Sequence, residues 1–504
     1  MIYDILIVGG GINGTAIARD AAMNGLSVLL IEKDDLASHT SSASTKLIHG
    51  GLRYLEYYEF KLVREALKER ERLLKTAPHL IYPMLFVLPH RNAVRPWWLV
   101  RMGLWLYDRI GGHSSLPKSR GLSSADVDFI APLKDRVRGF VYSDAWVDDA
   151  RLVVLNAVDA ARHGASIRTR IAVASAVREN GDWAVTLSDG TTVRARALVN
   201  AAGPWVVDML AKTGIHSESR VRLIKGSHII VDGLFAGNHA YMLQQPDKRI
   251  VFAIAYEGDK TLIGTTDEPV DSPEDAKISG AEIAYLCAAV NSYFVKQIGP
   301  ADVVSTYSGV RPLYDDGASE AKAVTRDYVL ELDDDGPPLL SVFGGKITTA
   351  RHLAEEAMAK LGRSAGWAVA PVTGAAALPG GDFAGPYESF AENVIARWPF
   401  LGHERSERMA RAYGTQLAEM LAAVSTVDDM REDFGAGLTK CEVDWLVSSE
   451  WATTADDILW RRTKVGLVTG ADTRLRLTEY LEKWSSATPL KSPAPAAKNE
   501  VSQH

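Results

Sequence analysis

At 504 residues the chain is too long for a single hydrophobic core, and its 47% hydrophobic and 24% charged composition is that of a soluble globular protein. Roughly two or three domains are expected. A net charge of −7 and a pI near 6.0 exclude the broad basic surface on which nucleic-acid binding depends. Cys287 and Cys441 are far apart, with neither metal-ligand nor disulfide spacing, which points to a reduced, cytoplasmic setting and no bound metal.

The chain opens on an apolar strand, Ile5 to Val8, which runs into Gly9-x-Gly11-x-x-Gly14. A helical pattern follows to Asn24-Gly25, and a second apolar strand ends in Glu32. Strand, glycine turn, helix and terminal acid together predict a dinucleotide-binding βαβ unit, with FAD as the expected ligand. Gly9 permits the tight turn, Gly11 lets the pyrophosphate approach the backbone, and Gly14 lets helix and strand lie close; Glu32 is expected to accept hydrogen bonds from the adenosine ribose. The first strand leaves no room for a signal peptide, and no apolar run is long enough to span a membrane, so membrane contact is expected to be peripheral.

Ser41 to Glu56 is polar, small and glycine-bearing, suited to run beside a cofactor and bring His49 and Arg53 to its reacting face. A helix is predicted to follow as far as Thr76, before Pro78. Between Arg91 and Gly112, Trp97, Trp98, Trp105 and Tyr107 alternate with Arg95, Arg101 and Arg109. That mixture suits a lipid interface, yet the apolar residues cover most of a helical wheel, so a helix buried on several sides is expected. A helix packed on the protein with a basic, aromatic rim on lipid is the compromise.

From Ala165 to Val199 short alternating strands are broken by Asn180-Gly181 and Asp189-Gly190, both hairpin signals. They lead into an apolar strand ending at Asn200-Ala201-Ala202-Gly203-Pro204-Trp205, which is expected to rejoin the parallel sheet beneath the cofactor. Residues 220 to 343 read as strands with one helix near Gly280 to Gln297, the pattern of an inserted antiparallel substrate domain. The Leu339–Phe343 strand, Gly344-Gly345-Lys346 and a helix to about Leu361 aim a second helix start at the cofactor, where its dipole and a lysine would stabilise a reduced flavin. A linker over 362–379, a helical C-terminal domain and a disordered tail from about Thr488 complete the chain.

In this order the motifs resemble the FAD-dependent glycerol-3-phosphate dehydrogenases, the respiratory, quinone-linked enzymes. The similarity runs through Gly9-x-Gly11-x-x-Gly14, Ser41 to Glu56, Asp144-x-Trp146-Val147-Asp148-Asp149-Ala150-Arg151-Leu152 and Leu198 to Trp205. It continues through Leu223 to His228, Gly264-Thr265-Thr266-Asp267, Tyr307 to Leu313, the Gly344-Gly345-Lys346 turn and Asp456 to Thr463. The resemblance implies an α/β chain: a Rossmann-type doubly wound FAD-binding domain (1–80, 141–212, 306–365), an inserted antiparallel-sheet substrate domain of the D-amino-acid-oxidase kind (81–140, 213–305), and a C-terminal helical domain (380–487). It implies FAD contacts from Gly9, Gly11, Ile12, Asn13, Gly14, Glu32, Ser41, Ser42, Lys46, Leu47, His49, Gly50, Ala172, Ala201, Gly203, Trp205, Gly345, Lys346, Ile347 and Thr348. Its implied reaction is oxidation of sn-glycerol 3-phosphate to dihydroxyacetone phosphate, by hydride transfer from C2 to the flavin, with a quinone as acceptor. A homodimer held peripherally on the cytoplasmic face of the inner membrane is the implied assembly.

The residues suit that chemistry. A phosphate monoester needs forked guanidinium and ammonium donors, and Arg53, Arg311 and Lys346 are the candidates. The hydroxyl proton needs a base, for which His228 is the first candidate and His49 the second. Tyr54 either hydrogen-bonds substrate or packs, and Lys346 serves the phosphate, the flavin or both. Competing expectations are a glycerol-3-phosphate oxidase using oxygen, an amine or amino-acid oxidase, and a non-catalytic flavoprotein scaffold.

Overall fold

A computed structural model of the protein describes residues 2–91, 95–135, 138–215, 217, 219–315 and 327–487. The 488–504 tail lies outside the described residues. Continuous apolar runs build the first sheet, as a parallel sheet covered on both faces requires. Ile2–Val8 lies parallel to Val28–Ile31 on one side and to Thr192–Asn200 on the other. Leu339–Phe343 continues the sheet in parallel beyond Thr192–Asn200, Val329–Asp333 closes that edge antiparallel, and Ser166–Arg168 closes the opposite one. Helices Ile12–Met23, Asp149–Arg162 and Ala350–Ala365 bury their apolar stripes on one face against Ile5, Ile7, Leu30 and Val199. The other face is covered by the Val173–Glu179 and Asp182–Leu187 hairpin, whose Trp183 and Val185 pack with Leu6, Leu29 and Leu198. The predicted turns at Asn180-Gly181 and Asp189-Gly190 both occur, as does the Rossmann-type nucleotide-binding sheet, with helices on one face and the β-hairpin on the other.

The second sheet is mostly antiparallel. Val221–Asp232 pairs with Val303–Tyr314 along nearly its whole length, setting His228 opposite Tyr307 and Ile224 opposite Arg311. Lys260–Gly264, Ile250–Tyr256 and His239–Gln244 follow in antiparallel order, and Ile81–Pro89 joins the last of these in parallel. Helix Gly280–Asn291 covers one face through Leu286 and Val290, shorter than the expected segment to Gln297. The strand Gly139–Val147 pairs with Ile81–Pro89, so residues 141–147, and likewise 306–314 of the Val303–Tyr314 strand, are hydrogen-bonded into this second sheet although expected in the nucleotide-binding part.

The helix expected to be buried on several sides, Trp97–Ile110, is not. Leu104 and Tyr107 alone are fully buried, while Trp98, Met102 and Trp105 are 64%, 54% and 50% exposed. One face is enough to seat it on Val63, Leu67 and Phe140, where Trp97, Val100 and Ile110 also pack, while Trp98, Met102 and Trp105 turn outward. Residues 387–487 form helices around a separate core that includes Met409, Tyr413, Leu417, Phe434 and Leu446.

Candidate functional site

The site is built where strand ends of both sheets meet. At the first helix, Gly9 has φ +115°, and a Cβ on Gly14 would lie 1.9 Å from the Gly9 carbonyl oxygen, so strand and helix touch through backbone alone. Gly11 has no side chain of its own to cap this helix, whose N-terminal end carries the partial positive charge that favours an anion. Ile12 donates its amide to Ser41 Oγ at 3.0 Å. Buried Glu32 accepts from the Gly10 and Asp34 amides at 2.6 and 2.8 Å; burial pushes its carboxyl pKa up, and those two bonds oppose the rise. Asn13 donates Nδ2 to the Gly344 carbonyl at 3.1 Å, while its buried Oδ1 has no partner among the described residues. A Cβ on Gly345 would lie 2.7 Å from that amide nitrogen, so the two glycine turns close on each other. A glycine-lined helix start and a ribose-type acid fit a dinucleotide, and the orphaned Asn13 Oδ1, an acceptor, suits a hydroxyl or N–H donor of the cofactor and not its pyrophosphate.

The segment from Thr40 to Lys46 is pinned on both sides. Thr40 Oγ1 donates to the Val310 carbonyl at 2.6 Å, and Ser44 Oγ donates to Asp149 at 2.8 Å. Lys46 is buried with φ +59°, its ammonium held by Asp149 at 2.7 Å and the Ser42 carbonyl at 3.1 Å, so its charge serves to fix the segment. Ser42 donates Oγ to the His39 carbonyl at 3.3 Å. Leu47 enters the second sheet opposite Trp146. The Gly50 amide donates to Tyr107 Oη at 2.8 Å, and Tyr107 donates to Asp144, which also pairs with Arg70 at 2.7 Å. His49, between these anchors, loses basicity through burial, with Asp144 opposing the shift and Lys346 and Arg70 reinforcing it. Its amide approaches Thr348 Oγ1 at 3.4 Å.

One wall gathers the first-choice base and a first-choice cation. His228 is fully buried, its Nε2 3.0 Å from Thr45 Oγ1 and its ring stacked on Tyr307. Burial, then Arg311 and Lys46, hold the imidazole well below its ordinary basicity, so it is neutral at physiological pH. Arg311 pairs with Asp267 and donates Nη2 to Thr265 at 3.0 Å. The strands approach so tightly that a Cβ on Gly226 would lie 2.3 Å from Arg311 Nη2, and one on Gly264 would lie 2.0 Å from the His228 ring. The Lys346 ammonium stands 4.2 Å from the Tyr54 ring centroid, at the start of the Ile347–Thr349 turn, and acts on His49. Arg53, on the Leu52–Tyr57 turn, has no ion-pair partner among the described residues.

Of the other predicted contacts, Ala201 lies in the cradle itself, its carbonyl oxygen 2.4 Å from where a Cβ on Gly9 would sit. Trp205 donates Nε1 to Glu274 at 2.9 Å and carries the Lys33 ammonium 3.6 Å from its ring centroid. Gly203 opens the turn before it, with φ +56°. Ala201 donates to the Val8 carbonyl at 2.9 Å, and the Ala172 amide donates to Ser188 Oγ at 3.1 Å. Ile347 packs on the core and Thr348 is buried. Thr45, Tyr307, Asp149, Thr265 and Asp267 had no role assigned from sequence. All sit inside the motif strings, which was the only signal available for them.

The FAD-dependent oxidoreductase family model matches residues 4–351, and the C-terminal domain of alpha-glycerophosphate oxidase matches residues 371–483. A glycerol-3-phosphate dehydrogenase of Pseudomonas aeruginosa is 51% identical over 95% of this chain and 95% of its own. A D-erythritol 1-phosphate dehydrogenase of Brucella abortus is 51% identical over 92% of this chain and 94% of its own. Among solved structures, the glycerol-3-phosphate dehydrogenase of Bacillus halodurans complexed with FAD superposes with a TM-score of 0.74 at 26% identity, covering 98% of this chain and 96% of that one. With a glycine cradle that fits the cofactor and relatives of this identity over nearly its full length, the chain is an FAD-dependent oxidoreductase and belongs to the glycerol-3-phosphate dehydrogenase family.

Proposed function

We propose that the protein oxidises sn-glycerol 3-phosphate to dihydroxyacetone phosphate and passes the electrons to a quinone. FAD, when bound, supplies the hydride acceptor. The observation that carries this reading is a pair of neighbouring strands that bears both a buried neutral imidazole, His228, and, four residues along the register, the forked cation Arg311. Arg311, with Arg53 and Lys346, binds the phosphate dianion, for which a cluster of cations is needed in an otherwise acidic protein. With Nε2–H donating to Thr45 Oγ1, His228 keeps the Nδ1 lone pair, and Nδ1 takes the C2 hydroxyl proton as hydride leaves. Nδ1 has no hydrogen-bond partner among the described residues, which suits an acceptor kept for substrate. His49 is the second candidate base, and Tyr54 orients Lys346 through its ring face.

A second reading has a specific support: the Brucella relative, as similar as the Pseudomonas one, bears the name of a four-carbon polyol phosphate. Anaerobic titration with sn-glycerol 3-phosphate, its enantiomer, glycerol and D-erythritol 1-phosphate, followed at the flavin band, tests both. Bleaching by the first compound alone is expected; bleaching by the erythritol phosphate alone replaces the substrate, and no bleaching by any removes the function.

The quinone assignment is supported by the outward face of Trp98, Met102 and Trp105, with the Arg109 guanidinium 4.3 Å from the Trp105 ring. Aromatic rings and cations so mixed suit the headgroup layer of a membrane, where quinones are dissolved. No described helix is long and apolar enough to cross a membrane, so the proposed contact is peripheral. Stoichiometric hydrogen peroxide in aerobic turnover would replace the quinone by oxygen.

A further inference from the structure

The C-terminal helices do not meet the FAD-binding part through apolar contact alone; charged pairs cross between them, among them the buried Arg151–Glu450 pair, and two further sets reach the cofactor cradle. A single π-helical turn, Asp457–Arg462, delivers the first set. Asp35, three residues beyond Glu32, has a wholly buried carboxylate that accepts from Arg461 Nε at 2.6 Å and from both terminal nitrogens of Arg462 at 2.8 Å. Arg462 is itself wholly buried and also donates to the Glu450 carbonyl at 2.7 Å. Asp457 pairs with Arg170, whose amide donates to the Asp34 carbonyl at 2.9 Å. The second set is the pair Lys464–Asp148, beside Asp149, which holds Lys46 and Ser44.

These contacts end on the two segments that frame the cofactor cradle. Residues 32–37 carry Glu32, and the Ala37 amide donates to the Gly10 carbonyl at 3.1 Å. Residues 42–46 run beneath His228 and Tyr307. Buried charges are costly unless paired, and two arginines on one buried aspartate form a rigid clamp, because Asp35 and Arg462 have no water to turn to. A π-turn is itself unusual and recurs at functional positions.

We propose that the C-terminal domain is a cofactor-retention clamp, with Arg461 and Arg462 as positioning residues that act on FAD through Asp35. The clamp holds the Glu32 loop against Gly10, so releasing it speeds escape of FAD without touching any group that contacts substrate.

The test is the FAD dissociation rate of the purified holoenzyme, read as the rise of free-flavin fluorescence after dilution at a temperature well below unfolding. Arg461→Gln and Asp35→Asn are each expected to raise the rate about tenfold or more, and the double variant no further than the larger single change, as members of one unit do. Arg462→Lys, which keeps the charge, is expected to fall between the wild type and Arg461→Gln. The control is Arg408→Gln, which breaks the buried Arg408–Glu442 pair wholly within the C-terminal domain; it lowers Tm but leaves the dissociation rate unchanged. If Arg461→Gln and Asp35→Asn lower Tm like the control while FAD leaves at the wild-type rate, the clamp is merely structural and the proposal is overturned. An equal rise of dissociation in the Arg408 variant overturns it as well, because retention would then track global stability.

Discussion

The His228 and Tyr307 rings lie face to face across neighbouring strands, 4.7 Å between centroids and 21° between planes, and Tyr307 donates its hydroxyl to the Ser44 carbonyl at 2.8 Å. One aromatic ring thus fixes the plane of the imidazole and ties its strand to the segment that carries Thr45. Orientation of a base within hydrogen-bond reach matters as much as its pKa. We predict that His228→Asn slows flavin reduction by about a hundredfold or more, and that Tyr307→Phe, which keeps the stack and loses the tie, costs less. The deficit of His228→Asn should shrink at high pH, where solvent hydroxide assists. Stopped-flow reduction as fast in the Asn variant as in the wild type would remove His228 as the base.

Arg311 already spends its fork on Asp267 and Thr265, so its removal takes away a phosphate donor and leaves an unpaired carboxylate beside the substrate. Arg311→Ala is expected to lower kcat/KM by about tenfold to a hundredfold, mostly through KM, on the scale of a charge-assisted hydrogen bond. The flavin spectrum should be unchanged. Steady-state kinetics over a range of substrate concentration provide the check, and a wild-type KM would exclude the phosphate role.

Gly14→Ala is expected to yield a colourless protein. The added methyl carbon would sit 1.9 Å from the Gly9 carbonyl oxygen, far inside van der Waals contact, and the atom it meets is backbone. The helix must shift away from the phosphate-binding turn. The ratio of flavin to protein absorbance after purification measures this, and full flavin loading would contradict the tight strand-to-helix approach.

His79 is buried beneath the C-terminal linker, and burial, with Arg151 and Arg411, lowers its pKa from 6.5 to about 3. The unfolded chain therefore takes up a proton below pH 6.5 that the folded chain refuses until about pH 3. Stability contributed by neutral burial is complete above pH 6.5 and is lost as pH falls through that window, by up to about 1.4 kcal/mol per pH unit. His79→Gln should flatten the pH dependence of denaturant unfolding by that amount relative to the wild type. Parallel slopes for the two proteins would mean that His79 is not buried neutral.

Trp98 and Trp105 point outward from a helix seated by Leu104 and Tyr107. Trp98→Ser combined with Trp105→Ser is expected to weaken binding to anionic lipid vesicles severalfold while turnover with a soluble dye acceptor stays at the wild-type level. Co-sedimentation provides the measurement, and undiminished vesicle binding would take this helix out of the proposed membrane face.

The nucleotide-binding unit was legible in sequence because its chemistry is local. Turn geometry, helix start and ribose acid lie within one βαβ stretch, and each constraint falls on a nearby residue, as at Gly9, Gly14 and Glu32. The hairpins at Asn180-Gly181 and Asp189-Gly190 were equally local. The periodicity of Trp97–Ile110 was misleading, because a wheel that is apolar nearly all round is the same for a helix wrapped by protein and for one seated by a single face. The tertiary structure alone decided which face was covered. Tertiary structure also decided the pairing of charges: Lys46 with Asp149, Arg311 with Asp267, and Asp35 with Arg462, 427 residues away along the chain. A side chain's charge is a property of its residue, but its partner is set by which strands and helices the fold brings within hydrogen-bond reach.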